Sequence, residues 1–418
     1  MESSKARLLE QIERDRDALV GFLRGFIRCA SPNPPGDTRE AAAYIQQLLN
    51  RHDVEHRIIA PQETMPNIVA TFVGGKPGRH LALNGHIDVF PVGDGAGWTE
   101  DPWGGALVDG RIYGRGACDM KCGTTASIFA FLYLHALREE LHGRLTLSAV
   151  SDEETFGPWG ARYLFEHHPE VIGDCCLNGE PSSPYTVRFG EKAVYWVKFT
   201  VRTPGGHSAY PHVSPSANRI AAALIRDLES LESIVPSTPD TVVRALGRPE
   251  AIASIERGLG KGASAILQKV TVNIGVMHGG VKVNMLPSLC EVEVDVRLPV
   301  GIARSDVRKA IDHIVARYPE VTWEDSPSQG VEATWSDPEH EMIGHIRENV
   351  QALLGFRPPA IVSLGGTDCR FWRAAGTPAY VYGCSPSGMG APDESVSVDE
   401  FLHVVKTHTL SAYDYLRN

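Results

Sequence analysis

Short apolar runs alternate with amphipathic segments over the first 190 residues of the chain. The apolar runs have the length of buried strands, and the segments between them repeat apolar positions every three or four residues, as surface helices do. This alternation predicts an α/β domain whose largely parallel sheet is covered on both faces. Predicted strands cover 67–74, 80–86, 144–151 and 174–180, and predicted helices cover 39–52 and 124–141.

The pattern changes near residue 191, where apolar and polar residues begin to alternate with a period of two. Such alternation is typical of an antiparallel sheet with one solvated face. The order strand–helix–strand–strand–helix–strand predicts an inserted α+β domain of the ferredoxin-like type, at 191–326. The α/β pattern then resumes, so 1–190 and 327–418 form one larger domain. Within the insertion, predicted strands cover 193–203, 269–280 and 289–299, and predicted helices cover 215–234 and 303–318.

Composition and charge narrow the class of protein. The 418 residues carry a net charge of −11 and no basic block, which disfavours a nucleic-acid partner. The first residues are charged throughout and predict an amphipathic helix, neither a signal peptide nor a membrane span. Eight cysteines, two of them adjacent at Cys175 and Cys176, do not indicate a disulfide framework. We therefore expect a cytoplasmic protein without a membrane partner.

Side chains that bind metals follow the ends of several predicted strands. Each of them alone is more often a solvated loop residue, but the carboxyl ends of parallel strands meet at one edge of a sheet. Carboxylates gathered there repel one another unless a cation or shared protons hold them. A histidine among carboxylates suits Zn²⁺ or the harder Mn²⁺. The candidates are His86, Asp88, Asp119, Glu153, Glu154 and Glu180.

Several motifs resemble one known enzyme family. They are "GHIDVFPVG", "GRIYGRGACDMKCG", "SDEETFGPWGARYL", "GGHSAYPH", "GGVKVNMLPSLCEVEVDVRLP" and "SLGGTDCRFW". In this order they are similar to the acetylornithine deacetylase, succinyl-diaminopimelate desuccinylase and glutamate carboxypeptidase family of metallo-amidohydrolases. The resemblance implies a phosphorylase/aminopeptidase-like catalytic domain with a mixed, mostly parallel sheet and two metals. It also implies that the insertion is a lid that forms a homodimer.

The resemblance implies a role for each matched metal position. His86 and Glu180 bind the first metal, and Asp88 orients the His86 ring from behind. Asp119 bridges the two metals, and the peptide bond after it is often cis in relatives. Glu154 binds the second metal.

The same resemblance implies the catalytic and substrate-binding groups. Glu153 is the general base, which takes a proton from the attacking water and passes it to the leaving nitrogen. His207 stabilises the oxyanion in the partner subunit's site. The substrate, a small molecule with a carboxylate, is bound by lid and loop residues. These are Asn284, Arg297 and, in the "LGGTD" loop, Gly365 and Gly366.

One position departs from the family pattern. Relatives end with a motif of the form H-x-P-D/N-E, whose histidine is the last ligand of the second metal. Here "GAPDE" has Gly390 at that place, and glycine has no side chain to bind a metal. Either the second site is weak or empty, leaving one zinc or manganese ion per chain, or a nearby group or water completes the pair. We favour the single metal, and we expect Met389 to form a pocket wall and Cys384 to pack as a small apolar residue.

The departure leaves three functions open. Hydrolysis of an N-acyl amino acid is the commonest reaction in the family. The alternative is hydrolytic deamination of an aromatic amino acid such as 5-nitroanthranilate at a single-metal site. A non-catalytic ligand-binding protein is a third hypothesis, against which the presence of Glu153, His207 and Arg297 counts.

Overall fold

The computed structural model of the protein describes residues 2–325 and 332–417. Its helices are distributed along the whole chain and, apart from short 3₁₀ turns at Arg138–Glu140, Pro169–Val171 and Glu229–Ser233, are α-helical. They are α1 (Glu2–Arg14), α2 (Arg16–Arg28), α3 (Arg39–Arg51), α4 (Lys121–Ala136), α5 (Ala161–His167), α6 (Ala217–Leu228), α7 (Asp240–Leu246), α8 (Pro249–Leu259), α9 (Ala263–Ile266), α10 (Arg304–Val315), α11 (Glu341–Leu354), α12 (Cys369–Ala374) and α13 (Val398–Tyr415).

The strands form one large sheet, one four-stranded sheet and two small ones. They are β1 (His56–Ile59), β2 (Asn67–Val73), β3 (Lys76–His86), β4 (Ala106–Val108), β5 (Arg111–Tyr113), β6 (His142–Val150), β7 (Cys175–Asn178), β8 (Val187–Glu191), β9 (Ala193–Arg202), β10 (Gly206–His207), β11 (Thr271–Gly279), β12 (Met285–Leu286), β13 (Leu289–Leu298), β14 (Val321–Asp325), β15 (Thr334–Trp335), β16 (Ala360–Ser363), β17 (Ala379–Val381) and β18 (Ser395–Ser397).

The large sheet has the order β1-β2-β6-β3-β7-β17-β8-β15, with β16 paired to β8. Its centre, β6-β3-β7-β17, is parallel, while β1, β2 and β15 pair antiparallel at the two sides. Strands β3, β6 and β7 are apolar and buried where they cross the sheet centre. Because these strands run in one direction, their carboxyl ends meet at one edge, as the sequence pattern predicts.

Helix α4 is the central helix of the larger core. Almost all of its side chains are buried, because it packs against β3 on one side and against α2 and α13 on the other. Phe131 meets Phe72 of the sheet edge-on at 5.3 Å, and Phe129 meets Phe22 of α2 at 5.4 Å. The all-round apolar composition of α4 matches this position inside the fold.

The four-stranded sheet of the insertion has the order β11-β13-β9-β14 and is antiparallel throughout. Helices α6 and α10 pack against each other, and α6 lies on β9, β11 and β13 over a second apolar core. This arrangement confirms the predicted α/β fold with an inserted ferredoxin-like unit. The chain limits given to the two domains stay a prediction, and the limit at residues 326 and 327 falls outside the described residues.

Helices α7, α8 and α9 follow α6 in the chain, yet their apolar side chains join the larger core. Helices α7 and α8 contact β16 of the large sheet. The buried ammonium of Lys192 donates hydrogen bonds to the main-chain oxygens of Ile266 at 2.6 Å and Lys269 at 2.7 Å. The segment therefore ties the insertion to the larger core. Its buried apolar side chains are Val242, Ala245, Leu246, Ile255, Ala263 and Leu267.

The N-terminal segment forms two helices rather than one. The break falls at Asp15, whose carboxylate accepts a hydrogen bond from the Tyr133 hydroxyl at 3.1 Å. Aspartate favours such breaks because its side chain competes for polar partners outside the helix. Among the described residues, no helix combines the length and apolar character needed to cross a bilayer.

Candidate active site

Three of the predicted metal ligands converge at the carboxyl edge of the parallel strands. His86 ends β3, Glu180 follows β7, and Asp119 lies in the loop before α4. Nε2 of His86 is 3.3 Å from Asp119 Oδ1 and 3.4 Å from Glu180 Oε1. The three ligand atoms lie within 4.8 Å of one another, and all three residues are buried. The Asp119–Met120 peptide bond is cis.

The ring of His86 is oriented by the main chain of Asp88. Nδ1 of His86 lies 2.8 Å from the Asp88 main-chain oxygen and 3.6 Å from its Oδ1. A hydrogen bond donated to that main-chain oxygen assigns the ring proton to Nδ1. Nε2 then presents a lone pair toward Asp119 and Glu180, as a metal-binding histidine must.

The carboxylate of Asp88 holds the segment that carries the two glutamates. It accepts hydrogen bonds from the main-chain amides of Glu153 at 3.3 Å and Glu154 at 3.1 Å. The side-chain amide of Asn33 donates to the same carboxylate at 2.9 Å. Asp88 therefore joins the end of β3 to the end of β6. Asn33 was not identified from the sequence, since an asparagine in a proline-rich turn carries no distinguishing signal.

The ligand atoms fit a divalent cation. Nε2 of His86 and Oδ1 of Asp119 are buried and have no hydrogen-bond partner. Burial raises the pKa of Glu180 well above its usual range. Burial opposes the charged form of His86, yet the neighbouring Glu180 and Asp119 hold its pKa well above its usual range. A cation would balance these carboxylates and, by displacing the proton that they favour at Nε2, would take the lone pair of the neutral ring.

Glu154 and Gly390 are the two positions at which the resemblance predicts ligands of the second metal alone. Oε1 of Glu154 is buried without a hydrogen-bond partner, and burial, followed by the charge of Asp119, raises the Glu154 pKa well above its usual range. Gly390 has φ +72, and a Cβ added there would meet nothing within 4 Å. This left-handed backbone favours glycine. Position 390 therefore supplies no side-chain ligand, whereas Glu154, the acid expected at the second metal, is present.

The loop that carries Asp119 is held by an acid near the C-terminus. Oε1 of Glu394 accepts hydrogen bonds from the main-chain amides of Cys118 at 3.0 Å and Asp119 at 3.1 Å. Oε2 of Glu394 forms a buried ion pair with Arg115 at 2.5 Å. Arg115 also donates to the Gly390 main-chain oxygen at 3.1 Å. Sequence reasoning missed both Arg115 and Glu394, although Glu394 belongs to the "APDE" segment that it examined.

The predicted general base has a partner that the sequence analysis did not identify. Nη1 of Arg370 donates to Oε1 of Glu153 at 2.7 Å, and both side chains are buried. The Arg370 guanidinium lies over the rings of Phe156 at 4.5 Å and Phe371 at 4.7 Å. Next to this pair, burial followed by the charge of Glu153 raises the pKa of Asp368 to about 8.

The loop containing Gly365 and Gly366 runs from β16 to α12. A Cβ at Gly366 would meet the Phe156 ring at 3.2 Å. The end of the loop is fixed because Glu191 accepts hydrogen bonds from the Thr367 amide at 3.2 Å and hydroxyl at 2.7 Å. Glu191 also forms a buried ion pair with Arg373 at 2.8 Å. The loop therefore borders the part of the site that contains Glu153.

The predicted lid residues lie apart from this cluster. His207 is exposed in β10, which pairs with β12, and the main-chain oxygen of Asn284 accepts from the Ser208 amide at 3.1 Å. Arg297 in β13 forms an ion pair with Asp295 at 2.9 Å. Within the described residues, no hydrogen bond or ion pair joins His207, Asn284 or Arg297 to the metal ligands. Their predicted roles stay predictions.

The sulfur-containing side chains near the site differ in exposure. Met389 is 48% exposed, whereas Cys118, Cys122 and Cys384 are fully buried beside the Asp119 loop. The Cys384 thiol donates to the Cys118 main-chain oxygen at 3.7 Å. A hydrogen bond with Cys122, together with burial, raises the pKa of Cys384 well above its usual range. The complete burial of Cys384 suits the packing expected of a small apolar side chain.

Comparison with curated proteins finds relatives over nearly the whole chain. A succinyl-diaminopimelate desuccinylase from Cereibacter sphaeroides is 28% identical over 391 residues, covering 91% of this chain and 94% of the relative. A protein of the same name from Gluconacetobacter diazotrophicus is 30% identical over 347 residues, covering 81% of each chain.

Solved structures share the fold at lower sequence identity. The M20 family metallo-carboxypeptidase Sso-CP2 from Sulfolobus solfataricus has a TM-score of 0.81 at 17% identity, covering 95% of this chain and 99% of that one. Human carnosine dipeptidase 1 has a TM-score of 0.79 at 17% identity and covers 99% of both chains. The sequence profile of peptidase family M20/M25/M40 matches residues 82–414, a stretch that contains every residue of the cluster at the strand ends. The chain belongs to peptidase family M20/M25/M40.

Proposed function

We propose that this protein hydrolyses an amide C–N bond in a small molecule that bears a carboxylate, most simply an N-acyl amino acid. The observation that carries the proposal is the buried cluster of His86, Asp119 and Glu180 with unpartnered ligand atoms. Glu153, the proposed base, lies at the end of the neighbouring strand and is tied to the cluster through Asp88. The names of the desuccinylase relatives support an acylated amine with a carboxylate as the substrate class.

Each group then has a chemical task. His86, Asp119 and Glu180 would hold a divalent metal, which when bound would supply Lewis acidity to a water and to the scissile carbonyl. Glu153 removes a proton from the attacking water and delivers it to the leaving nitrogen. Asp88 orients the His86 ring. Gly365 and Gly366 border the substrate.

We propose one zinc or manganese ion per chain. Three protein ligands and an open position form a competent hydrolytic site. Gly390 supplies no donor to a second ion, which would depend on Asp119 and Glu154 alone. Metal analysis of the purified protein tests this stoichiometry. About one equivalent per chain is expected, and two tightly bound equivalents with full activity would contradict the proposal.

A screen of substrates tests the reaction. The metal-loaded enzyme is offered N-acetyl and N-succinyl amino acids in one set and aminobenzoates in another, with release of free amine or ammonia as the readout. Turnover of an N-acyl amino acid is the expected result. Absence of turnover on every C–N substrate of both sets would contradict a hydrolytic function.

Hydrolytic deamination of an aromatic amino acid such as 5-nitroanthranilate is the second candidate. The rings of Phe156 and Phe371 beside Arg370 favour it, because a flat aromatic acid would stack there and pair with the guanidinium. Ammonia released from an aminobenzoate, with no turnover of N-acyl amino acids, would select this candidate over the first.

We further propose a cytoplasmic homodimer formed through the insertion. All eight cysteines are free, which suits a reducing compartment. The loop before β12, the strand that pairs with the one carrying His207, presents Val281 and Val283, which are 90% and 97% exposed, as apolar surface for a second copy. In this dimer His207 and Asn284 reach the partner's site, and Arg297 and Met389 border the substrate. Mixing an inactive Glu153→Gln protein with an inactive His207→Ala protein should restore activity; no restoration would contradict shared sites.

A further inference from the structure

The ion pair between Arg370 and Glu153 presents a difficulty for the proposed reaction. A general base must have a free carboxylate oxygen directed at the attacking water. Here Oε1 of Glu153 already accepts a charge-assisted hydrogen bond from Arg370 at 2.7 Å, and both side chains are buried away from solvent that would weaken the bond. Among the described residues no hydrogen bond is made to Oε2, so the ion pair restrains the base by fixing the direction of its carboxylate rather than by occupying both oxygens.

The geometry of Arg370 also leaves it able to change partner. A single nitrogen, Nη1, makes the contact with Glu153, which is the one protein acceptor of this guanidinium within the described residues. A guanidinium binds a carboxylate most strongly with two parallel hydrogen bonds. The rings of Phe156 and Phe371 lie 4.5 Å and 4.7 Å from the guanidinium carbon and pack against the group without using its N–H donors. A carboxylate that approaches the free donors can therefore form the stronger pair.

We propose that Arg370 makes the general base available only when a substrate carboxylate is bound. In the absence of substrate, Arg370 restrains Glu153; a carboxylate of the incoming substrate takes the guanidinium in a two-point contact and releases Glu153 toward the reacting water. Arg370 is thus the specificity residue of the site, and it discriminates acids from neutral analogues by rate. This inference rests on the proposed hydrolytic function.

The alternative role for Arg370 is a fixed support for Glu153, and kinetics on matched substrates separates the two. N-acetyl-L-methionine and its α-carboxamide are compared with the metal-loaded wild type and with Arg370→Gln. We expect wild type to favour the acid by roughly a hundredfold in kcat/KM, and Arg370→Gln to lose this preference while its kcat on the carboxamide rises about tenfold. A parallel fall on both substrates would overturn the proposal.

Arg373→Gln is the matched control. Arg373 lies on the same helix and forms a buried ion pair of similar length, with Glu191 at 2.8 Å. Replacement of Arg373 disturbs the same helix but leaves the contact between Arg370 and Glu153 in place. The kcat/KM values for the acid and for the carboxamide should therefore change by the same factor. Loss of the acid preference in Arg373→Gln as well would overturn the assignment to Arg370.

Activation by a separate anion tests the wild type without any variant. Sodium acetate, added at constant ionic strength, should raise turnover of the carboxamide several-fold and saturably, because it takes Arg370 from Glu153. Acetamide should have no effect. Simple inhibition by acetate, or equal effects of acetate and acetamide, would overturn the proposal.

A structural readout separates failure of this inference from failure of the proposed function. In crystals of the metal-loaded protein soaked with succinate, Arg370 should contact the succinate carboxylate and lie beyond hydrogen-bonding distance of Glu153. If no substrate is turned over yet Arg370 changes partner, the proposed function fails and the exchange of partners stands. If Arg370 remains on Glu153 with succinate bound in the site, the inference fails whatever the activity.

Discussion

The main-chain amide of Asp119 donates a hydrogen bond to Glu394 across 275 positions of sequence, at 3.1 Å. The same carboxylate oxygen accepts from the Cys118 amide, and the other oxygen pairs with Arg115. The loop that carries a predicted metal ligand is therefore held by an acid outside the three-residue cluster. Loss of such a supporting partner typically lowers metal affinity by about ten- to a hundredfold.

Replacement of Glu394 by glutamine should weaken metal binding. Glu394→Gln keeps an oxygen for the amides but removes the charge that pairs with Arg115, so we expect metal affinity to fall by about ten- to a hundredfold. Calorimetric titration of the metal-free protein measures the change. The matched control is Asp393→Asn, because Asp393 is adjacent in the same loop and, of the residues that the structure describes, only the exposed Thr99 amide donates to its carboxylate. Equal losses in the two variants would contradict the role given to Glu394.

Restoring a histidine at position 390 should create a second metal site. A Cβ at Gly390 meets no neighbouring atom, and histidine is among the residues that tolerate a left-handed backbone. Gly390→His should therefore raise the bound metal from one to two equivalents, measured by elemental analysis after dialysis. Gly390→Ala carries the same backbone cost, about 1 kcal/mol, without a ligand, and should stay at one. One equivalent in both variants would contradict the inference that the lack of a side chain at position 390 leaves the second metal site empty.

Local patterns explain why the convergence of candidate ligands could be predicted from the sequence. His86 ends an apolar strand and Glu153 and Glu180 follow others, and parallel strands bring their carboxyl ends together whatever lies between them. The family resemblance inferred from the motifs is confirmed by the profile match over residues 82–414. Strand limits agree with the pattern to within a few residues, since burial of alternate or continuous apolar positions defines them.

The supporting contacts could not be predicted in the same way. Arg370 and Glu153 are 217 positions apart, and Arg115 and Glu394 are 279 apart. No periodicity links such pairs, because an ion pair depends on how two segments distant in the sequence finally pack. The position of helices α7–α9 was not predicted for a related reason. The amphipathic pattern of a helix indicates that one of its faces is buried, but it does not indicate which of the two cores buries that face.

Removal of the Glu153 carboxylate should abolish turnover and leave metal binding intact. Glu153 lies outside the three-residue cluster, so Glu153→Ala should retain about one metal while kcat falls by roughly a hundred- to ten-thousandfold. Amine release and metal content are measured on the same preparation. Glu166→Ala, which removes an exposed acid of α5, is the control and should be unchanged. Retained turnover in Glu153→Ala would exclude Glu153 as the base.

His408 links the stability of the protein to pH at a place remote from the metal ligands. The ring is fully buried in α13, with Nε2 at 2.7 Å from the Tyr382 main-chain oxygen and Nδ1 at 3.4 Å from the Ser127 hydroxyl. A neutral ring satisfies both contacts, as donor to the first and acceptor from the second. Burial lowers the pKa of His408 to about 4.

The unfolded chain therefore binds a proton at His408 below about pH 6.5, whereas the folded protein binds it only near about pH 4. The contribution of His408 to the free energy of unfolding is therefore complete above about pH 6.5 and is lost as the pH falls toward about 4. At about pH 5 the loss is about 2 kcal/mol. Urea unfolding at several pH values should show a shallower loss in His408→Gln than in wild type, because glutamine does not titrate and can still donate to Tyr382. His167→Gln, which replaces an exposed histidine, should follow wild type. Identical pH slopes for His408→Gln and wild type would exclude His408 as a source of the acid sensitivity.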